Sequence, residues 1–269
     1  MYPAKFDYVR ATDVSDALAK IGSDEDAKFI AGGHSLVPLM KFRLATPSLL
    51  VDIGRIGELS YVKDEGDYIA IGALTRHHDV QHSEILQSHL PILSHVAGLV
   101  GDPQVRHRGT IGGSVAHGDG ASDLPAVLLA LDATMVARSG EGQREIQAKS
   151  FFKGFLETDL RPDEILTEIR VAKGVKGWSF QKFNRRAQDW AIVGVAAVSN
   201  GSTKVAFVNM GSSPLRSVGC EEALRDGASI TEAAERAVDG IEPPSDLNAT
   251  SEFRVHLAKV LTRRALEEI

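Results

Sequence analysis

Two glycine pairs, each flanked by hydroxyl-bearing residues, are the part of this chain best suited to chemistry. The first is Ala31-Gly32-Gly33-His34-Ser35-Leu36, directly after Phe29-Ile30. The second is Thr110-Ile111-Gly112-Gly113-Ser114, followed by Asp119 and Asp123-Leu124-Pro125. Glycine lets backbone approach a ligand closely and turn through positive φ. A turn that opens a helix also aims N–H groups at one point, which suits phosphate. Two such segments imply a diphosphate held from two sides. Each also has a plainer reading: Ser35 as the N-cap of a strand-to-helix turn, and Asp123 as the N-cap of the helix at Leu124. His34 would then supply backbone only. A carboxylate binds phosphate poorly but suits the hydroxyls of a ribose or ribityl chain, which gives Asp123 and Asp119 a second possible role.

A third constellation is Lys182-Phe183-Asn184-Arg185-Arg186-Ala187-Gln188-Asp189-Trp190-Ala191. By pattern alone Trp190 reads first as a core or interface residue and second as a ring stacked near a flat cofactor. His77-His78-x3-His82 has the spacing of a helical metal face but few nearby acids, so a polar helix is the better reading. Arg106-His107-Arg108 is either close to phosphate or a solvated turn. No nucleophile elbow supports Ser-His-Asp catalysis. Cys220 is the only cysteine, so this chain alone builds neither a disulfide nor an iron–sulfur cluster. Beside Glu221 and Glu222 its thiol would be held protonated, as befits a small packing residue.

The elements that must position these residues fall into three regions. Residues 1–55 predict a helix over Val14–Ile21 capped by Thr12 or Asp13, a strand at Lys28–Ala31, a short helix over Ser35–Leu44 and a strand at Leu49–Ile53. The G-x-G-x-x-G spacing of a Rossmann unit is missing. Residues 56–176 predict strands at Tyr68–Gly72, Ala133–Arg138 and Glu164–Val171, with helices over Leu90–Val100 and Leu124–Leu131. Residues 177–269 predict three strands in hairpin spacing, turned at Asn200-Gly201, and then helices up to Phe253–Glu268. The mixed order argues for α+β. A net charge of −6 gives no nucleic-acid footprint. No apolar run reaches the roughly 18 residues of a membrane span. The first residues lack the apolar core of a signal peptide, so a cytoplasmic location is the expectation.

With these segments in this order, the chain resembles the FAD-binding medium subunit of molybdenum hydroxylases, the carbon monoxide dehydrogenase and xanthine dehydrogenase group. The likeness rests on Ala-Gly-Gly-His-Ser-Leu at 31–36, Thr-Ile-Gly-Gly-Ser at 110–114, Asp-Leu-Pro-Ala at 123–126 and Arg-Arg-x-x-Asp-Trp-Ala at 185–191. It extends over nearly the whole chain. The resemblance implies a two-lobed FAD-binding module of the vanillyl-alcohol-oxidase (PCMH) type, with lobes at 1–55 and 56–176. A C-terminal α+β domain at 177–269, with an antiparallel sheet and helices, would complete it. FAD would be non-covalent, with Ala31 to Leu36 and Thr110 to Ser114 holding its diphosphate and ribityl region through backbone. Asp123 matches a position on the cofactor's polar chain, Leu166 one near the flavin or adenine, and Lys182 and Trp190 a segment approaching the isoalloxazine. Asp119-Gly120 departs from the Asp-Pro often found in the family, which would loosen that loop. The 2Fe–2S clusters and molybdenum cofactor would lie on a small and a large partner subunit, in a dimer of heterotrimers (a heterohexamer). FAD would pass electrons from the clusters to an external acceptor, and no residue of this chain need act as acid or base. Two rival readings are a free-standing FAD oxidoreductase with the same cradle and a non-enzymatic nucleotide-binding protein.

Overall fold

A computed structural model describes residues 1–269. The chain opens as strand β1 (Asp7–Arg10), helix α1 (Val14–Ile21), β2 (Lys28–Ile30), α2 (Leu36–Lys41) and β3 (Leu49–Asp52). These strands form a parallel sheet in the order β1-β3-β2. Helix α1 starts where Asp13 accepts a hydrogen bond from the Asp16 N–H, so Asp13 rather than Thr12 is the cap. Its Val14, Ala17 and Ile21 face inward at helical spacing. Helix α2 is shorter than expected. The chain leaves it at Phe42, and Arg43 adopts a left-handed φ of 58°.

The middle region sandwiches a helical run between strands. It comprises β4 (Val62–Asp64), β5 (Tyr68–Gly72), α3 (His77–His82), α4 (Glu84–His89), α5 (Pro91–Gly98), α6 (Pro103–Arg108), α7 (Ile111–His117) and α8 (Asp123–Ala130). Then follow β6 (Thr134–Ser139), β7 (Gly142–Gln147), α9 (Ala148–Phe151), β8 (Phe152–Gly154), β9 (Glu157–Thr158) and β10 (Ile165–Ala172). Strands β4-β5-β10-β6-β7 make one antiparallel sheet. Every residue of α8 is buried, as an all-round apolar sequence requires.

The last region is a sheet of β11 (Gly177–Asn184), β12 (Ala191–Ser199), β13 (Thr203–Val208) and β14 (Leu215–Arg216). It is followed by α10 (Val218–Arg225), α11 (Ile230–Glu235) and α12 (Ser251–Glu267). Strand β12 is buried on both faces, so it is a continuous apolar run rather than an alternating one. Ala196 and Val198 join the core around α8, while Val193, Val195 and Ala197 face the core under α12. The architecture is α+β, as expected. No helix is long and apolar enough to cross a membrane.

Arg254 of α12 is fully buried. It donates to the Ile192 carbonyl, to the Asn209 carbonyl at 3.1 Å and to Asp246 at 2.6 Å. Asn209, at φ 61°, donates from its backbone to the Gly120 carbonyl and from its side chain to the Ala191 carbonyl. One buried guanidinium thus sets both the start of β12 and the loop ahead of α8. Replacing it by methionine strands two carbonyls, while the Asp246 carboxylate, 41% exposed, keeps its access to water. Urea unfolding of Arg254→Met should show a loss of about 2–4 kcal/mol; a change below about 1 kcal/mol would remove Arg254 as the organiser of this corner.

Candidate functional site

A cavity of about 880 Å³ lies where the three regions meet, a size in the range of roughly 300–1,000 Å³ typical of cofactor sites. Ala31, Gly32, Gly33, His34, Ser35 and Leu36 line one side, and Thr110, Gly112, Gly113 and Ser114 line the next. Asp123, Leu166, Lys182 and Trp190 complete it. Of the residues singled out in the sequence, Ile111 and Asp119 stand apart from the lining. Ile111, the first residue of α7, is wholly buried. Asp119 turns back to accept from the Ala121 N–H at 2.9 Å. Gly120 does not loosen its loop: a Cβ there would lie 2.8 Å from the Gly211 carbonyl and 3.0 Å from Ser213. Close packing takes the place of proline's rigidity.

The two glycine pairs differ in their hydrogen bonding. In the first, none of the N–H groups of Gly32, Gly33, His34, Ser35 and Leu36 donates within the chain. Gly33 has φ +75°, and Ser35 holds the N-cap position without using its hydroxyl as a cap. Successive unspent N–H groups around a positive-φ residue form an anion-binding concavity. The second pair is not a loop but the first turn of α7. Ile111 N–H donates to Thr75, Gly112 N–H to Ala73 and Ser114 N–H to Thr110, while the Thr110 hydroxyl accepts from Gly113. The expectation that this segment offers backbone to a diphosphate is therefore corrected: its N–H groups are spent internally. The Thr110 cap outweighs the weak helix propensity of two glycines.

Gly32 is where the two segments touch. A Cβ there would meet the Arg108 carbonyl oxygen at 2.3 Å and the Gly109 Cα at 2.9 Å. Arg76 closes the junction by donating to the Arg108 carbonyl and, at 3.2 Å, to the Gly54 carbonyl. Nothing in the sequence pattern marked Arg76 for this. His77 is only 2% exposed, and its Nε2 lies 3.2 Å from the Ser114 Oγ. Burial first, then the positive neighbours His34, Arg106 and Arg76, push its pKa down to about 4. His78 and His82 share a helical face, as their spacing predicts, with ring centroids 4.3 Å apart, and His107 stacks on His78 at 4.0 Å. No group of three or more metal-ligating side chains is placed to hold an ion. Arg106 turns inward to the Val100 and Gly101 carbonyls.

Asp123 is not an N-cap. Ser122 holds that position, and Asp123 is the first helical residue. Its Oδ2 accepts from Lys182 Nζ at 2.8 Å, and Lys182 also donates to the Leu99 carbonyl. Burial still raises the Asp123 pKa above the ordinary carboxylate value despite this partner. Its Oδ1 is buried and has no partner within the chain, in a residue that lines the cavity. Trp190 is 59% exposed at the cavity rim, so it is not a core residue. Leu166 follows Glu164, whose two oxygens accept from Arg144 at 2.6 and 2.8 Å. That bidentate grip holds the Glu164 carboxyl below its usual pKa and steadies the start of β10. Cys220 is fully buried, and burial followed by Glu221 pushes its thiol up to about 11, which makes it a packing group.

The family described as FAD binding domain in molybdopterin dehydrogenase matches residues 4–173, and that described as CO dehydrogenase flavoprotein C-terminal domain matches residues 178–269. The carbon monoxide dehydrogenase medium chain of Hydrogenophaga pseudoflava is 40% identical, over 99% of this chain and 97% of that one. The glyceraldehyde dehydrogenase medium chain of Sulfolobus acidocaldarius is 37% identical over the full length of both. Among solved structures, carbon monoxide dehydrogenase from Hydrogenophaga pseudoflava lacking the Mo-pyranopterin moiety superposes with a TM-score of 0.94 at 40% identity, covering 100% of this chain and 98% of that one.

His77 gives this site a pH signature. As pH falls below 6.5 the unfolded chain takes up a proton that folded His77 refuses until about pH 4. The fold should lose up to roughly 3 kcal/mol across that window relative to a variant without the imidazole. The difference in stability between wild type and His77→Gln should stay constant above about pH 6.5 and shift against the wild type as pH falls toward 4. Parallel curves would mean that His77 titrates as freely in the fold as out of it.

Proposed function

Since the chain belongs to the FAD-binding family of molybdopterin dehydrogenases, with its CO-dehydrogenase flavoprotein C-terminal domain, we propose that the cavity between its regions is the FAD site and that electrons cross the complex there. The protein is the FAD-binding medium subunit of a molybdenum hydroxylase, an oxidoreductase whose molybdenum and iron–sulfur centres lie on other subunits. The observation that carries the site assignment is a pairing of unspent groups. Five consecutive free N–H groups, Gly32 to Leu36, border the same cavity as the orphaned Asp123 Oδ1. That is a donor set for diphosphate and an acceptor for a polyol within one cavity, which fits FAD.

In this reading, residues 1–55 and 56–176 are the two lobes around the cofactor, and 177–269 is the domain that closes it with Lys182 and Trp190. Bound FAD supplies one- and two-electron redox chemistry, which lets it link 2Fe–2S clusters to an external acceptor. The chain's own residues bind and orient. The Gly32–Leu36 N–H groups hold diphosphate oxygens, Lys182 keeps the Asp123 carboxylate in place, Leu166 supplies an apolar wall, and Trp190 offers a stacking face at the rim. In this reading no side chain of the cavity need act as acid or base. The partners are a small 2Fe–2S subunit and a large molybdopterin subunit in a dimer of heterotrimers, a reading supported by the relatives' designation as medium chains. A cytoplasmic location completes this reading.

The full chain, purified alone, should absorb near ~450 nm, bleach with dithionite and release its colour on acid precipitation, as non-covalent flavin does. Gly32→Ala drives a methyl into the Arg108 carbonyl and should weaken FAD binding by roughly 10- to 100-fold in a fluorescence titration. A colourless chain that takes up no added FAD would overturn the assignment.

A further inference from the structure

The unused chemistry in this molecule is concentrated at His77. It is the one buried imidazole with a ring nitrogen, Nδ1, that meets no partner. Its other nitrogen, Nε2, meets only the Ser114 hydroxyl. The backbone locks this placement: His77 N–H donates to the Gly109 carbonyl at 3.0 Å. Gly109 also packs so closely that a Cβ there would lie 2.8 Å from the His77 ring. His77 stays neutral at physiological pH, so one ring nitrogen carries a proton and the other a lone pair. Placing the proton on Nδ1 would bury an orphaned N–H, a rare arrangement. On Nε2 it is spent on Ser114.

With Nε2–H donating, the Ser114 Oγ is an acceptor, and its own O–H must point elsewhere. A helical serine can bond back to the carbonyl four residues earlier, but Ser114 makes no such bond to Thr110 and lines the cavity. The N–H groups around it are spent inside the fold. We propose that His77 is a positioning residue that turns the Ser114 hydroxyl into the cavity as a phosphate donor, so that the second glycine segment grips the cofactor's diphosphate through this side chain rather than through backbone. This inference rests on the assignment of the cavity to FAD. It gives the two segments different duties, with five backbone donors on one side and an oriented hydroxyl on the other. Gly113, whose Cβ would meet only Thr110, leaves that approach open.

The test uses the full chain, with FAD and riboflavin as probes and flavin fluorescence as the readout. Ser114→Ala should weaken FAD binding roughly tenfold, the worth of one hydrogen bond to a charged group. His77→Phe should cost the same, and the double variant no more than either alone. His77→Gln, whose amide can still donate to Ser114, should bind FAD nearly as wild type does. Riboflavin has no phosphate, and its affinity should not move in any of these variants. Should the phenylalanine variant not fold by circular dichroism, His77→Asn, whose amide is too short to reach, takes its place. The proposal is overturned if His77→Phe, or the His77→Asn that replaces it, binds FAD normally, if the two losses multiply to about a hundredfold, or if riboflavin affinity falls in parallel. If Gly32→Ala loses FAD while Ser114→Ala keeps it, only this inference fails. If neither variant loses FAD, the cavity assignment itself fails.

Discussion

The contact on which the rest of this structure depends is backbone against backbone: Gly32 pressed onto the Arg108 carbonyl, with Arg76 donating across the junction to Arg108 and Gly54. No residue larger than glycine fits at position 32, because the first atom of a side chain would lie inside the van der Waals radius of that oxygen. The approach brings a loop of the first region to the start of α7 in the second. It thereby creates the corner of the cavity. Arg76 matters because its guanidinium donates to a carbonyl on each side of the seam at once.

Two segments with nearly the same sequence signature end up doing different things because of what surrounds them. Thr110 enters α7 with its hydroxyl already capping Gly113, and residues 73–75 take up the N–H groups of Ile111 and Gly112. Ser35 stands at the corresponding point before α2 but leaves its hydroxyl uncommitted, and no neighbouring strand takes the N–H groups beside it. A buried donor is paired or costly. The first segment can leave five donors unspent because they border a cavity, whereas the second lies against residues 73–75, just after β5, and pairs N–H groups there.

Local pattern carried most of the elements. Asp13 ahead of an amphipathic run marked α1, and Asn200-Gly201 marked the turn between β12 and β13. The glycine motifs, Asp123 and Trp190 stood out by residue type and Leu166 and Lys182 only through the family resemblance, and all of them but Ile111 line one cavity. Long-range pairing was not legible. Asp123 had the composition of an N-cap, yet it pairs with Lys182, which is 59 residues away in sequence. His77 carried a metal-like spacing with His78 and His82, yet it points into the protein while they stack outside with His107. A helical wheel places residues on faces but does not say which face a distant segment will cover. Arg76 and Arg254 were invisible for the same reason, since what each does is set by carbonyls from remote turns.

The C-terminal region is built into the site rather than appended to it. Lys182, which holds Asp123, comes from β11, and Trp190 precedes β12. The start of β12 is fixed from α12 by Arg254, and the same guanidinium reaches Asn209, whose N–H secures the Gly120 loop just before α8. An isolated first module would lose the cation that balances a buried carboxylate and would keep an Asp123 whose burial already disfavours its charge. That carboxylate would then either take up a proton or draw in water, and in both cases the acceptor offered to a polyol would change. The two family domains in this chain are therefore joined by an electrostatic requirement as well as by a shared core: the module that presents the carboxylate cannot keep it both buried and ionised without the lysine of the other.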